Sequence, residues 1–141
     1  MSVTKTVAFV PCANIIATSR TGDPSNTVVV GSHMDGVAAG PGINDNGSGA
    51  MTNLEMALSL SRLVARGSLT LTNRVRFCWW GAEEEGLVGS HWYVDHLSDF
   101  EVSQIAGEQN TRQFRMSFAV SHCAHPSIIR LMGRCRCLQS T

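Results

Sequence analysis

Residues 27–33, TVVVGSH, constrain the fold more than any other stretch. The valines are consecutive instead of alternating with polar residues. A strand of that kind is buried on both faces, as at the centre of a layered α/β sheet. No hairpin follows. Residues 31–50, GSHMDGVAAGPGINDNGSGA, hold one His, two Asp and six of the chain's thirteen glycines, and they run into a helical pattern. Open α/β sheets gather functional groups where strands end at their carboxyl side. His33 and Asp35 leave this strand there, and Asp45 stands just before the helix.

The rest of the chain supplies partners for that strand. TVAFV (6–10) and NIIATS (14–19) read as short strands separated by Pro11, and TGDPSN (21–26) as a polar turn. Residues 48–66 are helical in period. Met51, Leu54, Leu58 and Ala65 fall on one face, and Met56, Leu60 and Leu63 on another. So broad an apolar surface predicts a well-buried helix, which Gly67 stops. RVRFCWW (74–80) is a strand that begins charged and ends apolar. GAEEEG is the loop after it, and SHWYVDHL (90–97) a short helix. The order β-β-β-α-β-α predicts a sheet with helices packed on it. Beyond Ser98 the pattern weakens to a polar stretch, QIAGEQNTRQ, and two short apolar runs, MSFAV and SIIRLM, of no clear period.

A chain of 141 residues suggests one domain, and that length suffices for a core burying roughly 68–70% of the unfolded surface. Net charge is zero, but residues 1–108 carry −5 and residues 109–141 carry +5, with five Arg and no acid. With no nucleic-acid motif or aromatic interleaving, the basic end reads as an unstructured tail with no nucleic-acid partner. The N-terminus has a four-residue apolar run before Pro11, which is neither a signal peptide nor a transmembrane helix. No membrane partner is expected. Five cysteines in no framework pattern predict reduced thiols.

If the strands ending at His33 and Trp80 are parallel neighbours, His33, Asp35, Glu83 and Glu84 share one mouth, with Asp45 where the loop returns. Carboxylates about 4 Å apart repel by roughly 4 kcal/mol at an effective dielectric near 20, so such a mouth calls for a cation. Imidazole plus carboxylate suits zinc or a similar divalent ion. Asp35 is placed to accept a hydrogen bond from the second ring nitrogen of His33 and fix the ring. On a regular strand Glu83 and Glu84 would face opposite ways, but in a loop both can turn inward. Each piece alone has a plainer meaning: a lone His-x-Asp is usually structural, and EEE is usually a solvated turn. Trp79 and Trp80 read as packing. Asn46-Gly47-Ser48 is a glycosylation sequon, yet it would lie inside the mouth.

GSHMDGVAAGPGINDNGSGA followed by RFCWWGAEEEGLVGS closely resembles the aminopeptidase Y and bacterial leucyl aminopeptidase family of zinc exopeptidases, over about residues 14–97. The resemblance implies an α/β fold with a mixed, mainly parallel sheet and helices on both faces. It implies Zn2+, two ions per complete site, with His33, Asp45 and Glu84 as metal ligands. Asp45 would bridge the two ions, Glu83 would be the general base and Asp35 the orienting acid. The implied substrate is a peptide or protein N-terminus. Relatives are often secreted or vacuolar.

The family's site needs five protein ligands, and the motifs here supply three. The other two are an Asp on a later strand and a His near the domain end. No acid occurs in residues 109–141. His122, His125, Cys135 and Cys137 read as surface residues in preference to substitutes. The expectation is a partial zinc-peptidase domain over 1–97 and a divergent, poorly ordered basic tail over 98–141, produced by a shifted frame, an altered splice or a mispredicted gene end. The chain is thus expected to be truncated at both ends and to be a weak or inactive aminopeptidase. The competing readings are a non-catalytic binding or decoy module on the same fold, and a metal-dependent acyltransferase of the glutaminyl cyclase kind, against which the second Glu of the pair argues.

Overall fold

A computed structural model describes residues 7–112, 115–117 and 134–140, with side chains described over 11–106. The elements run β1 (Val7–Ala13), β2 (Ile15–Thr18), β3 (Asp23–His33), α1 (Ser48–Ala65), β4 (Asn73–Trp80), α2 (Val88–Asp95), α3 (Asp99–Ser103), β5 (Ile105–Arg112), β6 (Arg115–Ser117) and β7 (Arg134–Ser140). Five strands form one sheet in the order β2-β4-β3-β5-β6. β3 is parallel to both β4 and β5, while β2 and β6 flank them antiparallel. The mixed α/β fold with β3 at its centre is therefore as the valine run predicted.

Side-chain alternation decides which helix covers which face. Trp80 and Cys78 point to the side where Tyr93 of α2 packs, and with Val29 and Leu97 they form the core cluster. The Trp80 and Tyr93 rings lie 4.9 Å apart at 49°, a tilted pair of the favoured kind. Trp79, one residue along, points to the other side, where its indole N–H donates to Ala50 O of α1 (3.0 Å). Helices thus cover both faces. Both tryptophans are packing residues, as expected.

Three sequence expectations are corrected. Pro11 does not separate two strands. It lies inside β1, which pairs with β7 in a separate two-stranded sheet where, among the described residues, each strand pairs on one edge, a place where the missing N–H is tolerated. Cys12 is disulfide-bonded, against the reduced-thiol default, whereas Cys78 is a buried reduced thiol. Nor is α1 well buried. Only Gly49 and Asn53 are fully enclosed, while Met51 is 65% and Leu58 43% exposed. Periodicity counts apolar positions but does not say how many stripes one sheet face covers. Here neither stripe is enclosed, since Met56 is 37% and Leu63 44% exposed as well, and the line that meets the sheet runs through Gly49 and Asn53.

The sheet also continues past residue 97. α3 begins at a capping box in which Ser98 N and Oγ both donate to Glu101 Oε2 (3.2 and 2.7 Å), and β5 then pairs with β3. The side chains of His122, His125, Cys135 and Cys137 lie outside the described residues. Among the described residues no helix is long and apolar enough to cross a membrane.

A buried amide ties α1 to the sheet behind the mouth. Asn53, fully enclosed, donates from Nδ2 to Ser32 Oγ (3.2 Å) and Cys78 O (2.9 Å). Its Oδ1 has no partner among the described residues. Asn53→Ala removes two hydrogen bonds, about 0.5–1.5 kcal/mol each, and strips a donor from a buried carbonyl. Loss of the orphan acceptor offsets part of this. A net destabilisation of about 1–2 kcal/mol is expected in urea denaturation, and a variant as stable as the parent would contradict the tie.

Candidate metal centre

The mouth is built where β3 and β4 end side by side, with His33 opposite Trp80 in register. His33 is the last residue of β3 and only 2% exposed. Its Nδ1 lies 3.1 Å from the carbonyl oxygen of its neighbour Asp35. A carbonyl can only accept, so Nδ1 carries the proton. Nε2 then faces Asp45 Oδ1 at 3.0 Å and Glu83 Oε2 at 3.7 Å. A neutral imidazole would present a lone pair to two carboxylates, which is repulsive. A proton or a cation at Nε2 removes the repulsion.

Asp45 arrives through the glycine loop. Gly42 holds φ at 63°, a left-handed conformation that glycine adopts without strain. An irregular π-type turn then spans Ile43–Gly47, with Asp45 and Asn46 away from helical angles and a cis peptide between them. Asn46 is 1% exposed, and its Oδ1 accepts the N–H of Gly49 (3.0 Å), capping the first turn of α1. Such burial removes the glycosylation reading of Asn46-Gly47-Ser48. Asp45 itself is half-exposed at the rim.

The two glutamates come from the loop after β4. Glu83 is buried and Glu84 half-buried, and one carboxylate oxygen of each lies with a ring nitrogen of His33 in a group whose atoms are all within 4.8 Å of one another. Glu85 is exposed, in keeping with its having no assigned role. The pair does not diverge as on a strand because Ala82 has a φ of 53°, a left-handed turn that costs a residue with a Cβ roughly 1–2 kcal/mol. Gly86 N and Leu87 N both donate to Glu83 O (2.9 and 2.8 Å), closing the turn.

Asp35 has further partners beside the expected one. Its carboxylate is 3.5 Å from His33 Nδ1, farther than its own carbonyl. Its Oδ1 accepts the N–H of Glu83 (3.1 Å) and Oδ2 the N–H of Glu84 (3.2 Å). No sequence signal pointed to this, since Asp35 and the glutamates are distant in the chain. Asn53 and Asn46 were likewise missed, because a buried amide at helical spacing looks like any polar helix residue.

The donor set suits zinc. Imidazole and carboxylates are its usual nitrogen and oxygen ligands, and donors at about 2.0–2.2 Å from one ion sit within about 4.4 Å of each other. The ligand atoms of the His33–Glu83–Glu84 group lie within 4.8 Å of one another, close to that limit. A cleft of about 570 Å³ lies elsewhere, between α1 and β2, lined by Thr18, Arg20, Leu60, Val64 and Phe77 among others, and contains none of the five candidate residues.

An imidazole and several carboxylates at the carboxyl end of a mixed α/β sheet make a metal-site arrangement, and comparison with known proteins agrees. The family model of peptidase family M28 matches residues 14–111. An aminopeptidase of Pseudomonas aeruginosa is 50% identical over 97 residues, covering 69% of this chain and 17% of that protein. Aminopeptidase Y of Saccharomyces cerevisiae is 46% identical over 99 residues, covering 70% and 17%. A zinc aminopeptidase from Bacillus subtilis superposes with a TM-score of 0.62 at 40% identity, covering 71% of this chain and 24% of that one. The chain belongs to peptidase family M28, and within it is aminopeptidase-like. It spans about a sixth of the length of the curated relatives it matches, 17% for those named here.

Proposed function

We propose that this chain carries part of a zinc-dependent aminopeptidase site that hydrolyses N-terminal peptide bonds, with His33, Asp45 and Glu84 as metal ligands and Glu83 as general base. The observation that carries this reading is His33 Nε2, buried and facing Asp45 Oδ1 at 3.0 Å and Glu83 Oε2 at 3.7 Å. The relatives' names supply the substrate class. Zinc, when bound, supplies Lewis-acid chemistry that acidifies water and polarises a peptide carbonyl.

The chain's own residues divide the remaining work. His33 offers an Nε2 lone pair fixed by the Nδ1 proton. Asp45 and Glu84 offer negative charge that a divalent ion neutralises. Glu83, buried at the mouth, takes a proton from water and passes it to the leaving amine. A catalytic zinc usually has three protein ligands and one open position. In the proposed dinuclear arrangement each ion would have only two from this chain, a bridging Asp45 being shared. Hydrolysis by this chain alone is therefore proposed to be weak, and a non-catalytic module on the same fold is the competing outcome.

Metal content separates them from a site that binds nothing. Zinc at about 100 times its dissociation constant is expected to stabilise the chain by about 2.7 kcal/mol, read as a rise in melting temperature that a chelator reverses. His33→Ala is expected to abolish the rise. A wild-type chain whose melting is indifferent to zinc would sink the metal assignment. Zinc binding without turnover on an aminoacyl chromogenic substrate would favour the non-catalytic module.

A further inference from the structure

Asp35 connects two ends of the mouth that the sequence keeps far apart. Both oxygens of its carboxylate are taken by the main chain of the opposite loop, Oδ1 by Glu83 N–H and Oδ2 by Glu84 N–H. The His33 ring is served differently, by the backbone carbonyl of residue 35 at 3.1 Å. That carbonyl is present whatever side chain stands there. A pair of adjacent peptide N–H groups, in contrast, is matched by a two-oxygen anionic acceptor, and hydrogen bonds to a charged acceptor are the stronger kind.

We propose that Asp35 is a positioning residue for the Glu83–Glu84 turn: its carboxylate clamps the two peptide N–H groups and so holds both glutamate side chains on the His33 side of the mouth. The turn needs such a clamp because successive side chains on an extended strand diverge. Ala82, at a φ of 53°, breaks the strand just before Glu83. The carbonyl side of Glu83 is held within its own loop by Gly86 and Leu87. The N–H side is held across the mouth by Asp35. With both sides fixed, the loop has its orientation relative to β3 before a metal arrives. The clamp therefore sets how far the carboxylates of Glu83, the proposed base, and Glu84, the proposed ligand, stand from the imidazole. This deepens the proposed metal site and rests on it for its function, though not for its geometry.

The test uses the full 141-residue chain, nitrogen-15 labelled, as wild type, Asp35→Ala and Asp35→Asn. In metal-free Asp35→Ala, hydrogen exchange at the Glu83 and Glu84 amides is expected to speed up at least about tenfold, as for donors that lose a hydrogen-bond partner. The Nδ1–H tautomer of His33, read from ring nitrogen shifts, is expected to stay. Asp35→Asn keeps one acceptor oxygen and is expected to protect only one of the two amides. Should Asp35→Ala fail to fold, this asymmetry in Asp35→Asn carries the test. Zinc affinity, measured against a competing chelator, is expected to fall by about 10–100-fold in Asp35→Ala, as for residues that support metal ligands. Unchanged exchange at both amides overturns the clamp. So does a changed His33 tautomer with the amides still protected, which would make Asp35 an imidazole orienter. Faster exchange with unaltered zinc affinity overturns the positioning role. If no form binds zinc, the metal site falls while the amides still decide the clamp.

Discussion

Glu83→Gln is expected to lower hydrolysis of an aminoacyl chromogenic substrate by about 10²–10⁴-fold, the typical contribution of a positioned proton-transfer group. The zinc content of the chain is expected to stay at the wild-type level. Glutamine matches glutamate in shape, so it fills the buried space below His33 without repacking, but its amide cannot take a proton from water. The measurement separates two parts that the geometry allows Glu83 to play, since its carboxylate lies in the same group as those of the candidate ligands. Loss of zinc together with turnover would make Glu83 a ligand. Retention of both would remove it from the chemistry.

The second large effect concerns the support under the mouth. A Cβ at Gly89 would come within 2.3 Å of both Asn14 Oδ1 and Gly81 O. Those two atoms belong to one buried knot: Asn14 Nδ2 donates to Gly89 O (2.8 Å), and Asn14 Oδ1 accepts from Gly81 N (3.1 Å). Gly81 lies two residues before Glu83, and Gly89 opens the second residue of α2. No side-chain rotation relieves a clash with main chain, so the loop between them must shift. Overpacking of this kind typically costs about 1–3 kcal/mol and occasionally more. Gly89→Ala is expected at the top of that range, read as a lower urea midpoint with an unchanged slope. The displaced loop should weaken zinc binding as well. A midpoint within error of wild type would show that the backbone approach is looser than described.

Much of the fold was legible because it is local. The valine run of β3 reports burial on both faces, since each side chain must find apolar company regardless of which neighbours supply it. The charged-to-apolar gradient of RVRFCWW reports a strand that enters the sheet from its surface. Gly67 marks the end of α1 because only a residue without a Cβ takes its φ of 69° freely. What failed were inferences about how far a single element is covered and where a strand stops. The apolar stripes of α1 read as core in sequence, yet Met51, Leu58, Met56 and Leu63 all stay exposed while Gly49 and Asn53 are enclosed. Pro11 looks like a break, yet lies inside a strand whose ladder tolerates it. QIAGEQNTRQ has too little apolar content to announce a strand, but β3 offered an edge of unpaired backbone, and residues 105–110 pair with it.

The sequence by itself determined the residue types of the mouth and their exits from the chain: an imidazole and a carboxylate after one buried strand, a second carboxylate before a helix, and adjacent glutamates after another strand. Those assignments follow from strand and turn propensities, which act within a few residues. Only the tertiary structure decided that β3 and β4 are parallel neighbours, which brings residues 33 and 83 together, and which oxygen each hydrogen takes. Asp35 shows the difference. Its spacing from His33 made the ring the obvious partner, but a carbonyl two residues on reached that nitrogen first, leaving the carboxylate for two amides nearly fifty residues away. Hydrogen bonds form by distance and direction in space, and those are set only once the sheet has closed.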